Sequence, residues 1–113
     1  MRRGDVCLIN LDPTVGAEIK KTRPAVIVND DAVGILPPRV IVPITEWKDR
    51  YAVAPWMVPL TIDAQNGLDK PSAADTFQVR SLSQSRFVRQ LGRLPEIIMQ
   101  EASRAVALVL AID

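Results

Sequence analysis

Arg23 follows Lys20, Lys21 and Thr22 and precedes Pro24, between two apolar runs. A guanidinium offers five donors in a rigid plane that matches phosphate oxygens, and it stays protonated at any physiological pH. Pro24 fixes its own φ and biases Arg23 toward an extended backbone, so the charge is delivered to one place. The stretch Gly16-Ala17-Glu18-Ile19-Lys20-Lys21-Thr22-Arg23-Pro24 therefore reads as a phosphate-meeting loop entering a strand. A charged loop without a ligand is the commoner meaning of a lone Arg-Pro, and the rest of the chain has to decide between the two.

Absent residue types narrow the chemistry. There is no histidine and one cysteine, which removes the usual zinc and copper constellations and the Ser-His and Cys-His nucleophile pairs. Most hydrolase chemistries are thereby excluded. Cys7 has no internal partner and sits in an apolar run, so it reads as a small core residue in a reducing compartment, the cytoplasm. The apolar run before Asp12 is too short for a signal-peptide core, and no stretch reaches membrane-spanning length, so no membrane partner is expected. The net charge of +1 exerts no global pull on polyanions, and a nucleic-acid site would have to come from local clustering of Lys and Arg.

The elements that must position Arg23 are mostly strands. At 113 residues, 48% apolar and 24% charged, the chain fits one folded domain, residues 1–113, rather than a disordered segment. Short apolar runs bounded by turn residues predict strands over 6–11, 25–29 and 40–45, the last after Pro37-Pro38. Residues 56–62 carry Pro59 and suggest an edge strand or a bulge. Further strands are expected at 72–76 and 78–82. The connections are rich in Pro and Gly, the pattern of an antiparallel sheet or small barrel.

The period changes near the end. Pro95 suits a first helical position, Glu96 complements the positive helix end, and Ile98, Ala102, Ala105, Val109 and Ile112 recur at helical spacing. Residues 105–112 are apolar nearly all round, so this end is either core or covered by a second subunit, and core is the preferred reading. Arg86, Arg89 and Arg93 just before the helix read as a solvated surface.

The order of pieces is informative as a whole: Arg3-Gly4-Asp5-Val6, Leu11-Asp12-Pro13-Thr14-Val15-Gly16, Lys21-Thr22-Arg23-Pro24-Ala25-Val26-Ile27-Val28, Val42-Pro43-Ile44-Thr45, Gln78-Val79-Arg80-Ser81-Leu82 and Leu91-Gly92-Arg93-Leu94. This series resembles the MazF/PemK family of toxin endoribonucleases along essentially the whole chain. The resemblance implies a mainly β fold, a small SH3-like antiparallel barrel with a C-terminal α-helix, assembled as a homodimer. It also implies metal-independent, sequence-specific cleavage of single-stranded RNA, messenger RNA above all, with no cofactor. The RNA's own 2′-hydroxyl is the nucleophile, and a 2′,3′-cyclic phosphate and a 5′-hydroxyl are left. DNA, lacking that hydroxyl, would bind and survive. A further implied partner is a small antitoxin protein with a disordered segment that covers the RNA groove.

Carried over onto matching positions, Arg23 is the catalytic arginine and Thr45 the catalytic threonine. Arg23 is suited to neutralise charge on the pentacoordinate phosphorus better than to donate a proton, because a guanidinium holds its proton tightly. Thr45 offers one hydroxyl in few rotamers. Glu18 matches an acidic position of the family's loop and is the candidate general base, with a salt-bridged loop charge as its alternative. Gly16, Lys20, Lys21, Gln78 and Arg80 are expected RNA contacts, although Arg80 could equally be a structural pair. Trp47, Tyr51 and Trp56 are stacking faces for unpaired bases, or else loop anchors or dimer packing. Two positions depart from the family pattern: Phe77 stands where many members carry an acidic residue, and Ala17 where many carry Ser or His. A second reading within the same fold is a non-enzymatic toxin that poisons DNA gyrase. The tryptophan-containing tail expected of that group does not match Leu110-Ala111-Ile112-Asp113.

Overall fold

The computed structural model describes residues 1–11 and 22–113. Gly16, Glu18, Lys20 and Lys21 lie outside the described residues. The chain runs through β1 (Asp5–Asn10), β2 (Thr22–Ile27), β3 (Arg39–Glu46), β4 (Met57–Leu60), β5 (Ser72–Asp75), β6 (Arg80–Leu82), β7 (Phe87–Arg93) and α1 (Glu96–Val109). All pairings are antiparallel, in the order β4-β5-β3-β2-β1-β7, with β6 also on β3. This is the expected small antiparallel barrel-like sheet with one C-terminal helix. Its strand path is open from β4 to β7 among the described residues.

Successive side chains on a strand point to opposite faces, and here both faces are covered. Val6, Val26 and Val42 belong to a core shared with Leu94, Met99 and Ala105. Cys7, Ile9, Ala25, Ile27 and Ile41 form a second core with Leu82. Burial on both sides explains why β1 to β3 read as continuous apolar runs rather than alternating ones. β3 is long enough to serve two sets of neighbours. Residues 41–43 pair with β2, residues 39–41 with β6, and residues 44–46 with β5. Pro43, which has no N–H to donate, sits where the strand changes partners. Pro59 lies in β4 at the sheet edge, as its ring requires.

One strand escaped the sequence reading, and one charge has a further role. β7 did not stand out in the sequence, because an exposed edge strand with two bulges against β1 has no readable alternation. Within it, Arg93 is exposed, as expected, and also an anchor: its guanidinium donates to the buried carboxylate of Asp5 at 2.5 Å and to the Arg3 carbonyl at 3.2 Å.

The helix begins one residue later than expected, with Pro95 at the cap position. It buries Met99, Ala102 and Ala105. Its end is not core: Leu108, Leu110 and Ile112 are each more than half exposed in the chain taken alone. Arg3 ties α1 to the sheet by donating to the Val28 and Met99 carbonyls and to Ser103 Oγ.

Burial pushes the Cys7 thiol from 9.0 up to about 11, with the nearby Asp5 charge adding to the rise. The folded state thus holds a proton that the unfolded chain releases above pH 9. Its contribution to stability is complete below that pH and is lost as pH rises toward about 11. Denaturation midpoints measured across pH 8–11 are expected to fall more steeply for the wild type than for Cys7→Ala.

The helix closes with Ile112 N–H donating to the Ala107 carbonyl at 2.8 Å and Ala111 N–H to Leu108 at 3.2 Å. Ala111 has φ 57°, the left-handed position that glycine usually fills in this closing motif. Ala111→Gly is expected to raise stability by about 1 kcal/mol, read from chemical denaturation.

Candidate active site

Arg23 sits on β2 opposite Ile9, and Thr45 on β3 opposite Ala73. The β2–β3 ladder pairs Ala25 with Pro43. Carried two residues further, the same register sets Arg23 across from Thr45 on the same face. Both side chains line the same two cavities, one on each side of them. Arg23 is exposed and Thr45 half-buried, so a ligand can reach a cation and a hydroxyl presented together by separate strands.

The larger cavity, about 490 Å³, is completed by Glu46, Leu68, Asp69, Lys70 and Ser72. A tightly built loop brings residues 68–70 there. The Asp63 carboxylate accepts from the N–H groups of Gln65 and Asn66, each at 2.7 Å. Asn66, fully buried, donates to the Thr61 carbonyl and accepts from Leu68 N–H. Gly67, at φ +71°, lies against the Leu91 carbonyl, and a Cβ on Gly92 would overlap the Gln65 carbonyl oxygen. The loop can dock on β7 only because these two residues lack side chains. Lys70 Nζ stands 3.7 Å from Glu46 Oε2 in an exposed pair, which is worth little to stability but sets the charge balance of that wall.

The smaller cavity, about 280 Å³, is completed by Leu11, Pro43, Tyr51, Asp75 and Gln78. The Tyr51 ring is held edge-on by Trp47, with centroids 5.9 Å apart and planes at 83°, and the Arg50 guanidinium lies 5.4 Å from its centroid. Asp75 ends β5, and its Oδ1 accepts from Phe77 N–H at 3.2 Å. Thr76, fully buried, donates to the Trp56 carbonyl at 2.6 Å. These bonds fix the short turn Thr76–Gln78 that presents Gln78.

Of the residues expected from the sequence, the fold brings Arg23, Thr45 and Gln78 together. Arg80 lies on β6 opposite Ile41 and lines neither cavity. Tyr51 is the aromatic that reaches the site. Trp47 packs edge-on against it, with its backbone N–H donating to the Pro71 carbonyl, and the Trp56 backbone carbonyl accepts from Thr76. Asp69, Lys70 and Asp75 escaped sequence reasoning. The one usable sign was Asp75-Thr76-Phe77-Gln78, where a carboxylate stands three residues before the expected contact Gln78.

Comparison with known proteins agrees with the fold. A family model described as PemK-like, MazF-like toxin of type II toxin-antitoxin system matches residues 2–110. Endoribonuclease MazF9 of Mycobacterium tuberculosis is 31% identical over 114 residues, spanning 96% of this chain and 94% of the relative. Endoribonuclease MazF of Staphylococcus saprophyticus is 33% identical over 112 residues, spanning 99% and 92%. Among solved structures, the toxin MazF-mt6 of Mycobacterium tuberculosis superposes with a TM-score of 0.76 at 24% identity, covering 96% of this chain and 98% of that one. An endoribonuclease in complex with its cognate antitoxin, from Mycobacterial species, does so with a TM-score of 0.78 at 19% identity, covering 100% and 97%. At these identities the structural matches speak for the fold.

Proposed function

This chain belongs to the PemK-like, MazF-like toxins of type II toxin–antitoxin systems, and on that premise we propose that it is a metal-independent endoribonuclease specific for sequences in single-stranded RNA. The observation that carries the reading is the meeting of Arg23 and Thr45, from different strands, on the wall between two open cavities. Endoribonuclease relatives at about a third identity over nearly the full chain support it.

In the proposed reaction the 2′-oxygen of the RNA attacks the adjacent phosphorus, the bond to the 5′-oxygen breaks, and a 2′,3′-cyclic phosphate forms. The 2′-hydroxyl proton passes to a base and the departing 5′-oxygen takes one up. The protein supplies neither nucleophile nor metal-bound water, which suits a chain without histidine. Arg23 stabilises charge on the phosphoryl oxygens, and the Thr45 hydroxyl donates to one of them. Glu18 is the candidate for the base, and Lys20 and Lys21 add phosphate contacts next to it in sequence.

One copy offers a short groove, so the functional unit is proposed to be a homodimer whose paired grooves hold a longer strand. The exposed apolar end of α1 supports burial against another chain. The antitoxin is proposed to be a small protein whose disordered acidic segment occupies the same groove.

Purified protein incubated in EDTA with long single-stranded RNA is expected to yield fragments with cyclic phosphate and 5′-hydroxyl ends. Arg23→Ala and Thr45→Ala are each expected to lower the cleavage rate at least about 100-fold while RNA still binds. Intact RNA at high protein concentration would sink the nuclease reading, and loss of cutting on chelation would sink its metal independence.

If Glu18 takes the proton, the cleavage rate climbs with pH through the glutamate's titration and then levels off. Glu18→Gln is expected to abolish that rising limb. An unchanged profile would remove Glu18 from proton transfer.

A further inference from the structure

We propose that the smaller cavity reads a guanine at one of the two nucleotides flanking the cut, and that Asp75 sets this preference. The proposal rests on the RNA-cleaving reading above and adds to it the identity of a recognised base.

The cavity holds the parts that recognition of one unpaired base requires. Its volume of about 280 Å³ falls just below the roughly 300–1,000 Å³ of sites that enclose a drug-sized ligand. Tyr51 provides an aromatic face held in place by Trp47, and unpaired RNA bases stack on such faces. Arg23 and Thr45 form the wall on the phosphate side. Among the described residues of the lining, Asp75 and Gln78 are the remaining polar side chains to meet the base edge.

An ionised carboxylate only accepts hydrogen bonds. Guanine is the one RNA base whose Watson–Crick edge carries two neighbouring donors, N1–H and the N2 amine, spaced to meet both oxygens of a carboxylate. Beyond them lies the O6 acceptor, to which the Gln78 amide can donate. Uracil flanks its one N–H with two carbonyls, and adenine and cytosine each place a ring-nitrogen acceptor beside their amine. Each of these would turn an acceptor toward a carboxylate oxygen and leave a polar group unpaired, the kind of mismatch that gives strong discrimination. The same negative charge repels phosphate, so Asp75 is better placed for the base than for the backbone.

The carboxylate is preset rather than free to swing. It is half-buried at the end of β5, opposite Met57, and its Oδ1 accepts from Phe77 N–H. That oxygen keeps a second lone pair for the base. Phe77 itself is 67% exposed and carries no hydrogen-bonding group on its side chain, so among the described residues the carboxylate lining this cavity is that of Asp75.

The test uses a pool of single-stranded RNAs with a randomised central segment, cut by the wild type and by Asp75→Asn, followed by sequencing of the ends. Asparagine can still accept from Phe77 N–H, so the turn stays capped. The wild type is expected to show guanine dominating one flanking position. Inosine there, which lacks the N2 amine, is expected to lower cleavage about 10-fold. Asp75→Asn is expected to lower cleavage at guanine sites about 10- to 100-fold and to flatten base usage at that position. A uniform loss at all sequences, an unchanged guanine preference in the variant, or no guanine preference in the wild type would each overturn the base-reading role alone. A wild type that cuts no RNA would overturn the nuclease reading and this proposal with it.

Discussion

The register of β1, β2 and β3 is the constraint on which the site depends. With both faces of this ribbon buried, a slip by one residue exchanges one apolar row for another, so hydrophobic patterning alone does not specify the pairing. Polar contacts at the strand ends do. Gly4 N–H donates to the Ile27 carbonyl, and the Asn29 side chain accepts from Val40 N–H. The Asp5 carboxylate is held between the Arg93 guanidinium and the Arg2 N–H. A displaced register would break these bonds, leave a carboxylate buried without its partner, and carry Arg23 away from Thr45.

Chemistry and selection are separated in space around that pair. The strands hold Arg23 and Thr45, whose types suit a reaction at phosphate, and the proposed base reading falls to residues around them. On one side the docked loop brings Leu68, Asp69 and Lys70. On the other, the β3–β4 connection brings Tyr51, while the end of β5 and the turn after it bring Asp75 and Gln78. A rigid sheet with variable loops at its opening can keep one reaction while changing what it recognises.

Much of the framework was legible in the sequence because apolar runs, Pro59 and the helical period each have local causes. Cys7, Arg23 and Thr45 were found for the same reason, each lying within a recognisable string. What escaped depends on contacts between distant segments. β7 is an exposed edge whose pairing is interrupted by bulges, and Arg93 acquires its role only when residue 5 arrives beside it. Asp69, Lys70 and Asp75 are ordinary loop or strand-end charges until Gly67, Gly92 and the buried Thr76 fix the backbone around them. The apolar end of α1 suggested core because nothing in its composition separates a buried face from one awaiting another chain.

The bonds of Arg3 to Met99 and Ser103 have a consequence for how the molecule comes into being. β1 lies in the sheet between β2 and β7, and Arg3 closes on the helix, so the first strand is completed by residues made nearly a hundred positions later. Contacts of such long sequence separation form late and slowly, since their loop entropy is lost before they return any stabilisation. On the ribosome, β2 and β3 emerge early, yet the sheet that holds them in register stays open at β1 until residues 87–103 have been made. A chain built this way completes the sheet that carries Arg23 and Thr45 only in a late step.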